Sequence, residues 1–401
     1  MPLISVLLPT RNRAHLLRYA LQSVLRQDFD DYEAVVSDNV SADGTKDLIA
    51  SFADPHIRYI QPPEYLRACD HWNFAIRHIQ GKYMLLTADD DCLAPNALRS
   101  FADAAQKTQA QIIGCQSAEY FAPDFRFPSQ RNTFISPAFR GGVEKMEMRR
   151  LLQECFSLNL AYYPRVPTLI AREIIETVLS RFGYFFALPF PEYVGYAMAF
   201  SLAQEFVKID KPLVVVGRTP DSLGPNYFWF GGDPSWAEVG NMIFQNVPLQ
   251  GTFVTNGIAE SFMKAKKNLP ENFRGIELAY DKYYSGYYAD MLAQQKLGRD
   301  IRREMDEYQR VVVTLPVELR DRVKALQRST DRRRTWWFQS LSRAKQASLR
   351  VAAAAQTRTV AQRRDFSKGG FVRGEEVGVQ DILGCGEWLA QIAGNGTRDE
   401  Q

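Results

Sequence analysis

Short apolar runs alternate with amphipathic stretches along the first 115 residues. The runs "LISVLLP", "YEAVVSD", "IRYI", "KYMLLTA" and "AQIIGCQS" predict buried strands. Between them, stretches such as "AHLLRYALQSVLRQ" place leucine, valine and alanine at helical spacing. This alternation predicts an α/β fold, in which helices cover both faces of a mainly parallel sheet.

Beyond residue 115 the pattern is less regular and then mostly helical. Strands are predicted at "VPTLIA" and "PLVVVG", and helices at "REIIETVLSRF" and "YVGYAMAFSLAQEF". After residue 235, stretches such as "IELAYDKYYSGYYADMLAQQKL" indicate helices. The predicted division is a domain 1–235 with halves 1–115 and 116–235, a helical extension 236–330, and a basic amphipathic segment with a polar tail 331–401.

The composition sets only broad limits on function. The chain has 401 residues, 46% of them hydrophobic, and a net charge of +3, so it can bury a sizeable core and is not a polyanion binder as a whole. Its five cysteines form no CxxC pair and its four histidines no HExxH, which argues against zinc sites and favours a reducing compartment. No leader and no spanning segment is evident, so we expect a cytoplasmic protein.

Polar residues follow three of the predicted strands. They are the loop 9–13 ("PTRNR"), the loop that begins at Asp38 ("DNVSADGT"), and the consecutive Asp89, Asp90 and Asp91. Ligands of such sheets bind at the carboxyl ends of the strands, so we expect these loops to lie together. Taken singly, each loop also has a structural explanation, as a turn, a helix cap or a solvated surface.

The three consecutive aspartates repel one another unless positive charge is held nearby. Mg²⁺ and Mn²⁺ take oxygen ligands, and Mg²⁺ often uses one or two carboxylates together with substrate phosphates. A solvated loop that caps the next helix suits one acid better than three. We therefore expect a divalent-cation site. The absence of GxGxxG, GxxxxGK[ST] and GxSxG argues against a dinucleotide Rossmann site, a P-loop ATPase and an esterase.

Two stretches resemble the signatures of family 2 glycosyltransferases with the GT-A fold. "ISVLLPTRNRAHLLRYALQSVLRQDFDDYEAVVSDNVSADGT" is similar to the family's opening strand, P-T/S-x-N-R loop and D-N/D-x-S-x-D-G-T loop. "HWNFAIRHIQGKYMLLTADDDCLAPNAL" is similar to its second signature, with an acidic DxD-type cluster. The resemblance is close over residues 3–115 and looser to about residue 220. It implies inverting transfer of a hexosyl-type sugar from a nucleotide sugar, a UDP-sugar above all, to a hydroxyl, with Mn²⁺ or Mg²⁺.

The resemblance also implies roles for individual residues. Asp38 would contact the nucleotide base, and Asp91 would be a metal ligand. Asp89 and Asp90 would contact the ribose or the metal's water shell, with Asp89 also a candidate metal ligand. The residues expected to bind the nucleotide sugar are Pro9, Thr10, Arg11, Asn12, Arg13, Asp38, Asn39, Arg67, Asp89 and Asp90. Ala88 stands where many relatives have the first acid, so the division of roles among the aspartates stays open.

Glu192 is the candidate general base, because the family takes its base from a later acidic loop. It follows Pro191 and precedes an apolar helix. A glutamate in the first turn of a helix is also favoured for purely structural reasons. Glu205 and Asp210 are weaker alternatives. The base would accept the proton of the attacking acceptor hydroxyl.

Three other functions are open at this point. A non-catalytic nucleotide-sugar-binding module would keep the fold without the base. A nucleotidyltransferase would require a glycine-rich and basic entry loop, and a metal-dependent phosphohydrolase would require further His and Asp ligands; neither is evident.

The basic stretch 332–364 suggests a partner of a different kind. It is compatible with peripheral docking on an anionic membrane, on the inner face of the cell membrane, and a solvated basic helix is the alternative. Nothing else favours nucleic acid. Membrane docking would suit a glycan or lipid-linked glycan acceptor, as in envelope polysaccharide assembly.

Overall fold

A computed structural model describes residues 1–159, 168–222, 244–328 and 369–395. The strands are β1 Ile4–Thr10, β2 Tyr32–Asp38, β3 Ile57–Ile60, β4 Tyr83–Leu86, β5 Cys92–Leu93, β6 Ile112–Phe121, β7 Thr133–Ser136, β8 Val143–Glu147, β9 Thr168–Ala171, β10 Glu205–Arg218 and β11 Gly370–Arg373. The first helices are α1 Ala14–Leu25, α2 Thr45–Ser51, α3 Ala68–Ile76, α4 Ala97–Thr108, α5 Met148–Phe156, α6 Arg172–Phe182 and α7 Pro191–Leu202. Later helices span Val254–Asn268, Tyr280–Lys296, Arg302–Thr314, Gly374–Val377 and Ile382–Asn395.

The described strands form one mixed sheet. Its order is β11–β7–β6–β9–β4–β1–β2–β3, and β10 lies along β6 and also pairs with β5 and β8. The pairs β1–β2, β1–β4, β2–β3 and β6–β10 are parallel, whereas β9 runs antiparallel between β4 and β6. The predicted α/β class is therefore confirmed, with antiparallel strands added at the centre and edge.

The central strands are buried on both faces. Every residue of β1, β2 and β4 is buried, which is why these segments are nearly continuous apolar runs. The buried Glu33 is satisfied at the amino ends of the strands, where the Ser5 hydroxyl and the Gln80 N–H donate to its carboxylate. At the opposite edge, Thr10 is paired with Asp38 across β1 and β2, so the loops that follow both strands begin side by side.

The helical extension packs against α7. Phe190 and Tyr193 at the start of α7 lie against the helix Val254–Asn268, with the Tyr193 and Phe262 rings 5.9 Å apart. A Cβ on Gly257 would lie 2.5 Å from the Phe190 ring, so this position requires glycine for the close approach. The prediction of helices in this part of the chain is confirmed.

The segment 369–395 adds a strand and a helix to the sheet. β11 pairs antiparallel with β7, and the helix Ile382–Asn395, called the C-terminal helix below, buries Ile382, Cys385 and Leu389. Sequence analysis treats this part of the chain as a polar tail, and the difference arises because its apolar residues are interrupted by glycine and charged residues. The basic stretch 332–364 lies outside the described residues. Within the described ranges, no helix combines the length and apolarity needed to cross a bilayer.

Candidate functional site

The three aspartates of the loop 87–91, called the aspartate loop below, have three different sets of partners. Asp89 accepts a hydrogen bond from the Thr10 hydroxyl at 2.8 Å and forms a short ion pair with Arg13. Asp90 is paired with Arg13 at 3.1 Å and accepts from the Ser222 hydroxyl at 2.8 Å. The positive charge that the triplet requires is therefore supplied in part by Arg13, at the start of α1.

Asp91 is buried, and its carboxylate is contacted by a backbone N–H group. It is 4% exposed, and its Oδ1 accepts from the Gly217 N–H at 3.0 Å. Burial and the neighbouring Asp90 raise the pKa of Asp91 to about 8, although Gly217 and Arg218 oppose the rise. Burial likewise raises the pKa of Asp89 to about 6, against the lowering effect of Arg13. Asp91 is thus a buried carboxylate whose charge would be stabilised by a cation.

The side chains at this edge suit a cation that is also bound by substrate phosphates better than a cation bound by protein ligands alone. Among the described residues, no group of three or more His, Cys, Asp and Glu side chains is arranged to hold a metal ion. Both oxygens of Asp89 accept hydrogen bonds, from Arg13 and Thr10, whereas those to the carboxylates of Asp90 and Asp91 fall on one oxygen each. The metal-ligand role of Asp89 stays a prediction. One or two carboxylates completed by phosphate oxygens and water are a common arrangement for Mg²⁺.

Asp38 lies at the adjacent strand end and is 1% exposed. Its carboxylate accepts from the Tyr59 hydroxyl at 2.9 Å and from the Ser41 N–H at 3.0 Å. Asn39 follows, with its side-chain amide donating to the Leu66 carbonyl at 2.8 Å and accepting from the Leu66 N–H at 3.0 Å. The loop before α3 is thereby joined to the end of β2.

The remaining predicted binding residues lie around this edge. Pro9 is buried within β1, while Arg11, Asn12 and Arg67 are exposed. The Arg11 guanidinium lies 4.0 Å from the centre of the Tyr65 ring. Asn12 has a left-handed φ of 52° and accepts from the Ala42 N–H at 2.8 Å, which holds the first two loops together. These residues share one edge, and their part in binding a nucleotide stays a prediction.

The end of β10 supplies functional residues that sequence analysis missed. Gly217 and Ser222 contact Asp91 and Asp90, and the Asp221 carbonyl accepts from Arg13 at 3.1 Å. The segment "GRTPDS" offers only a turn signal in the sequence. Its pairing with a loop more than a hundred residues earlier depends on β10 lying beside β5 and β6.

Glu192 lies in the first turn of α7 and is partly buried. Burial raises the pKa of its carboxyl group to about 7. The segment before it is held by Asn73 of α3, whose side-chain oxygen accepts from the Phe185 and Phe186 N–H groups at 2.8 and 2.9 Å. Its amide also donates to the Phe186 carbonyl at 2.8 Å.

The two alternative bases are held in structural interactions. Glu205 forms an ion pair with Lys145 at 2.8 Å on β8. Asp210 accepts from the Gln116 amide and from the Arg140 N–H. Glu192 has no ion pair with any residue in the described part of the chain. This difference favours Glu192 among the three, although its catalytic role stays a prediction.

Gly217→Ala is expected to displace the aspartate loop. A Cβ at this position would lie 1.8 Å from the Asp90 carbonyl oxygen, a backbone atom that cannot swing aside. We expect a loss of about 1–3 kcal/mol of stability, as for other overpacked sites, together with weaker nucleotide binding. Thermal unfolding and calorimetry measure the two effects.

Gly384→Ala is the matched control, because the atom nearest to its added Cβ would be Asp381 Oδ1, at an ordinary contact distance of 3.5 Å. This glycine is inside a helix, where alanine is favoured over glycine. Unchanged stability and binding in Gly217→Ala would show that the loop tolerates the shift.

Comparison with known proteins gives a family match over the first part of the chain. Residues 5–179 match the family model described as glycosyl transferase family 2. This segment contains β1, β2 and β4, so the part of the chain that carries the strand-end site is similar to glycosyl transferase family 2.

Two curated relatives and one solved structure illustrate the likeness. WcaA of Escherichia coli K12, named for colanic acid biosynthesis, is 35% identical over 130 residues, which are 30% of this chain and 47% of WcaA. The GalNAc(5)-diNAcBac-PP-undecaprenol beta-1,3-glucosyltransferase of Campylobacter jejuni is 33% identical over 117 residues, 28% of this chain and 38% of that enzyme. TarS 1–349 of S. aureus with UDP-GlcNAc aligns with 82% of this chain and 92% of its own, at 13% identity and a TM-score of 0.46. The matches thus span less than half the length of these curated relatives.

Proposed function

We propose that this protein is a metal-dependent, inverting glycosyltransferase that moves a sugar from a nucleotide-sugar donor to a hydroxyl acceptor. The observation that carries the proposal is the shared edge of β1, β2 and β4, where Asp38 adjoins Thr10 and Thr10 contacts Asp89. A buried carboxylate at a strand end, beside a second acidic loop, suits recognition of a nucleoside diphosphate through its base, ribose and phosphates.

The chemistry assigns separate tasks to the residues of this edge. Asp38 would accept hydrogen bonds from the base, and Arg13 would keep Asp89 and Asp90 in place. Asp90 and Asp91 would hold Mn²⁺ or Mg²⁺. When bound, such an ion supplies positive charge that stabilises a leaving diphosphate.

Glu192 would act on the acceptor. A carboxylate with a pKa of about 7 is half ionised near neutral pH, which suits a general base. It would take the proton of the acceptor hydroxyl while that oxygen bonds to the anomeric carbon and the bond to the diphosphate breaks. A single displacement of this kind inverts the anomeric configuration.

The substrates are proposed from the relatives' names. One relative is named for colanic acid biosynthesis and another as a glucosyltransferase acting on an undecaprenol-linked glycan. We infer a role in cell-envelope polysaccharide or glycolipid assembly, with a UDP-sugar donor and a glycan or lipid-linked glycan acceptor.

Calorimetric titration of the purified protein with UDP, GDP and other nucleoside diphosphates, with and without Mn²⁺, tests the proposal. We expect tight binding of one nucleotide that depends on Mn²⁺, and turnover of the corresponding nucleotide sugar. Binding without turnover of any donor would favour a non-catalytic binding module. No binding by the folded protein would refute the proposal.

Peripheral membrane docking through the basic stretch 332–364 is a further part of this proposal. Nine Lys and Arg residues lie in this stretch and no acid does, a composition suited to anionic lipid. We expect co-sedimentation with anionic vesicles that is lost when the nine Lys and Arg residues are replaced by Gln, and that falls with rising salt. Equal sedimentation of this variant would contradict the docking.

A further inference from the structure

A second hydrophobic cluster joins the segment 369–395 to the strands beside the aspartate loop. The cluster contains Cys92, Ala118, Tyr120, Phe134 and Val215 from the sheet, and Val372, Val379, Ile382, Cys385 and Leu389 from the segment. Cys92 directly follows Asp91 in the chain. The segment therefore buries its apolar side chains next to the acids of the site.

The C-terminal helix reaches the aspartate loop through Gly217. A Cβ on Gly217 would lie 1.8 Å from the Asp90 carbonyl oxygen and 3.3 Å from Ile382 Cδ1. The Gly217 N–H donates to Asp91 Oδ1 at 3.0 Å. Ile382 thus lies beside the glycine whose N–H holds Asp91 and whose Cα closely approaches the Asp90 carbonyl.

A second contact lies one helical turn further on. A Cβ on Gly386 would lie 3.4 Å from the Leu93 carbonyl, so the helix also rests on β5, immediately after the aspartates. The helix therefore supports the aspartate loop from two strands, β10 through Ile382 and β5 through Gly386.

Polar contacts hold the segment independently of this packing. The Gly374 N–H donates to the Asn132 carbonyl at 2.8 Å, and the Asn132 amide donates to Glu375 at 2.9 Å. The Tyr120 hydroxyl donates to the Gln380 carbonyl at 3.2 Å. These bonds, with the β7–β11 pairing, fix where the C-terminal helix begins.

We propose that the start of the C-terminal helix supports the aspartate loop, with Ile382 as its positioning residue. The segment lies outside residues 5–179, which carry the family match, so it is an addition to the matched region. The inference rests on the proposed function only in taking a nucleoside diphosphate as the ligand.

Ile382→Ala tests the inference, with Leu389→Ala as the matched control. Leu389 is two turns along the same helix, about 10 Å further on, and is fully buried in the same cluster. We expect both variants to lower the melting temperature, but only Ile382→Ala to raise the Kd for UDP with Mn²⁺, by about tenfold. Ile382→Val, which keeps most of the contact, should restore most of the affinity and provides a folded variant if alanine is not tolerated.

Hydrogen exchange separates this inference from the proposed function, because it requires no nucleotide. Faster exchange of amides 87–93 and of Gly217 in Ile382→Ala, but not in Leu389→Ala, supports the positioning role even if the wild type binds no nucleotide. Unchanged exchange in Ile382→Ala overturns the inference, and so does an equal rise in both variants, which would reflect general loosening.

Discussion

Glu192→Gln is expected to lower kcat for sugar transfer by about 10²–10⁴-fold, the range typical of general-base removal, with little change in nucleotide affinity. Glutamine has nearly the same shape as glutamate but cannot accept the acceptor's proton. The loss should therefore fall on kcat and kcat/KM equally. Steady-state kinetics with a fixed acceptor, beside calorimetry of the donor nucleotide, measures this split.

The pH dependence provides a second test of Glu192. Since burial raises the pKa of its carboxyl group to about 7, activity should rise with pH through about 7, as the base loses its proton. Stability should change in the opposite direction. The ionised form is penalised in the folded state, so Glu192 lowers stability as pH rises from its ordinary pKa to about 7. Glu192→Gln should remove this loss and raise the melting temperature at pH 8 more than at pH 5.

Glu173→Gln is the control for these experiments. Glu173 also lies in the first turn of a helix, α6, and is exposed, so it shares the helix-dipole interaction without the burial. An unchanged kcat in Glu192→Gln, or an equal loss in Glu173→Gln, would contradict the assignment of Glu192 as the base.

Asp91→Asn is expected to weaken Mn²⁺-dependent nucleotide binding by about 100-fold, the scale on which changes around metal sites act. Asparagine can still accept from the Gly217 N–H but carries no negative charge for a cation. The folded protein without metal should not suffer. Because burial and Asp90 raise the pKa of Asp91 to about 8, its ionised form is unfavourable in the fold, and the variant should be more stable above that pH.

Asp103→Asn is the matched control for this variant, because Asp103 is an exposed aspartate on α4. It should leave both binding and stability unchanged. A gain in stability without a loss of Mn²⁺-dependent affinity in Asp91→Asn would mean that Asp91 is a structural acid, and that the cation is held elsewhere.

The fold of the first 115 residues was predictable from the sequence, because strand and helix patterns alternate there. Strands β1 and β4 are nearly continuous apolar runs, β2 has a β-branched apolar centre, and α6 coincides with the stretch "REIIETVLSRF". Parallel strands also place their following loops at one edge, so the proximity of Asp38 and the aspartate loop follows from the alternation alone.

The rest of the fold and of the candidate site depends on contacts between residues that are far apart in the chain. The short run that forms β9 carries no mark of direction, so its antiparallel insertion between β4 and β6 was not predictable. The ion pair of Arg13 with Asp89 joins residues far apart in the chain, so no local pattern predicts it. Sequence analysis does not predict the C-terminal helix, because its apolar face becomes recognisable only when the helix packs against β10 and β5.

The pairing of β11 with β7 has a consequence for biosynthesis. Gly370 lies opposite Ser136 in the ladder, although the two residues are far apart in the chain. The ribosome therefore synthesises the two strands at very different times. At translation rates of about 5–20 residues per second, the interval between them is roughly 10–50 s. During that interval the edge of β7 is open to other partners, and the support behind Gly217 has not yet been synthesised. If Ile382 positions the aspartate loop as proposed, this loop gains its full support only after the segment 369–395 has been synthesised.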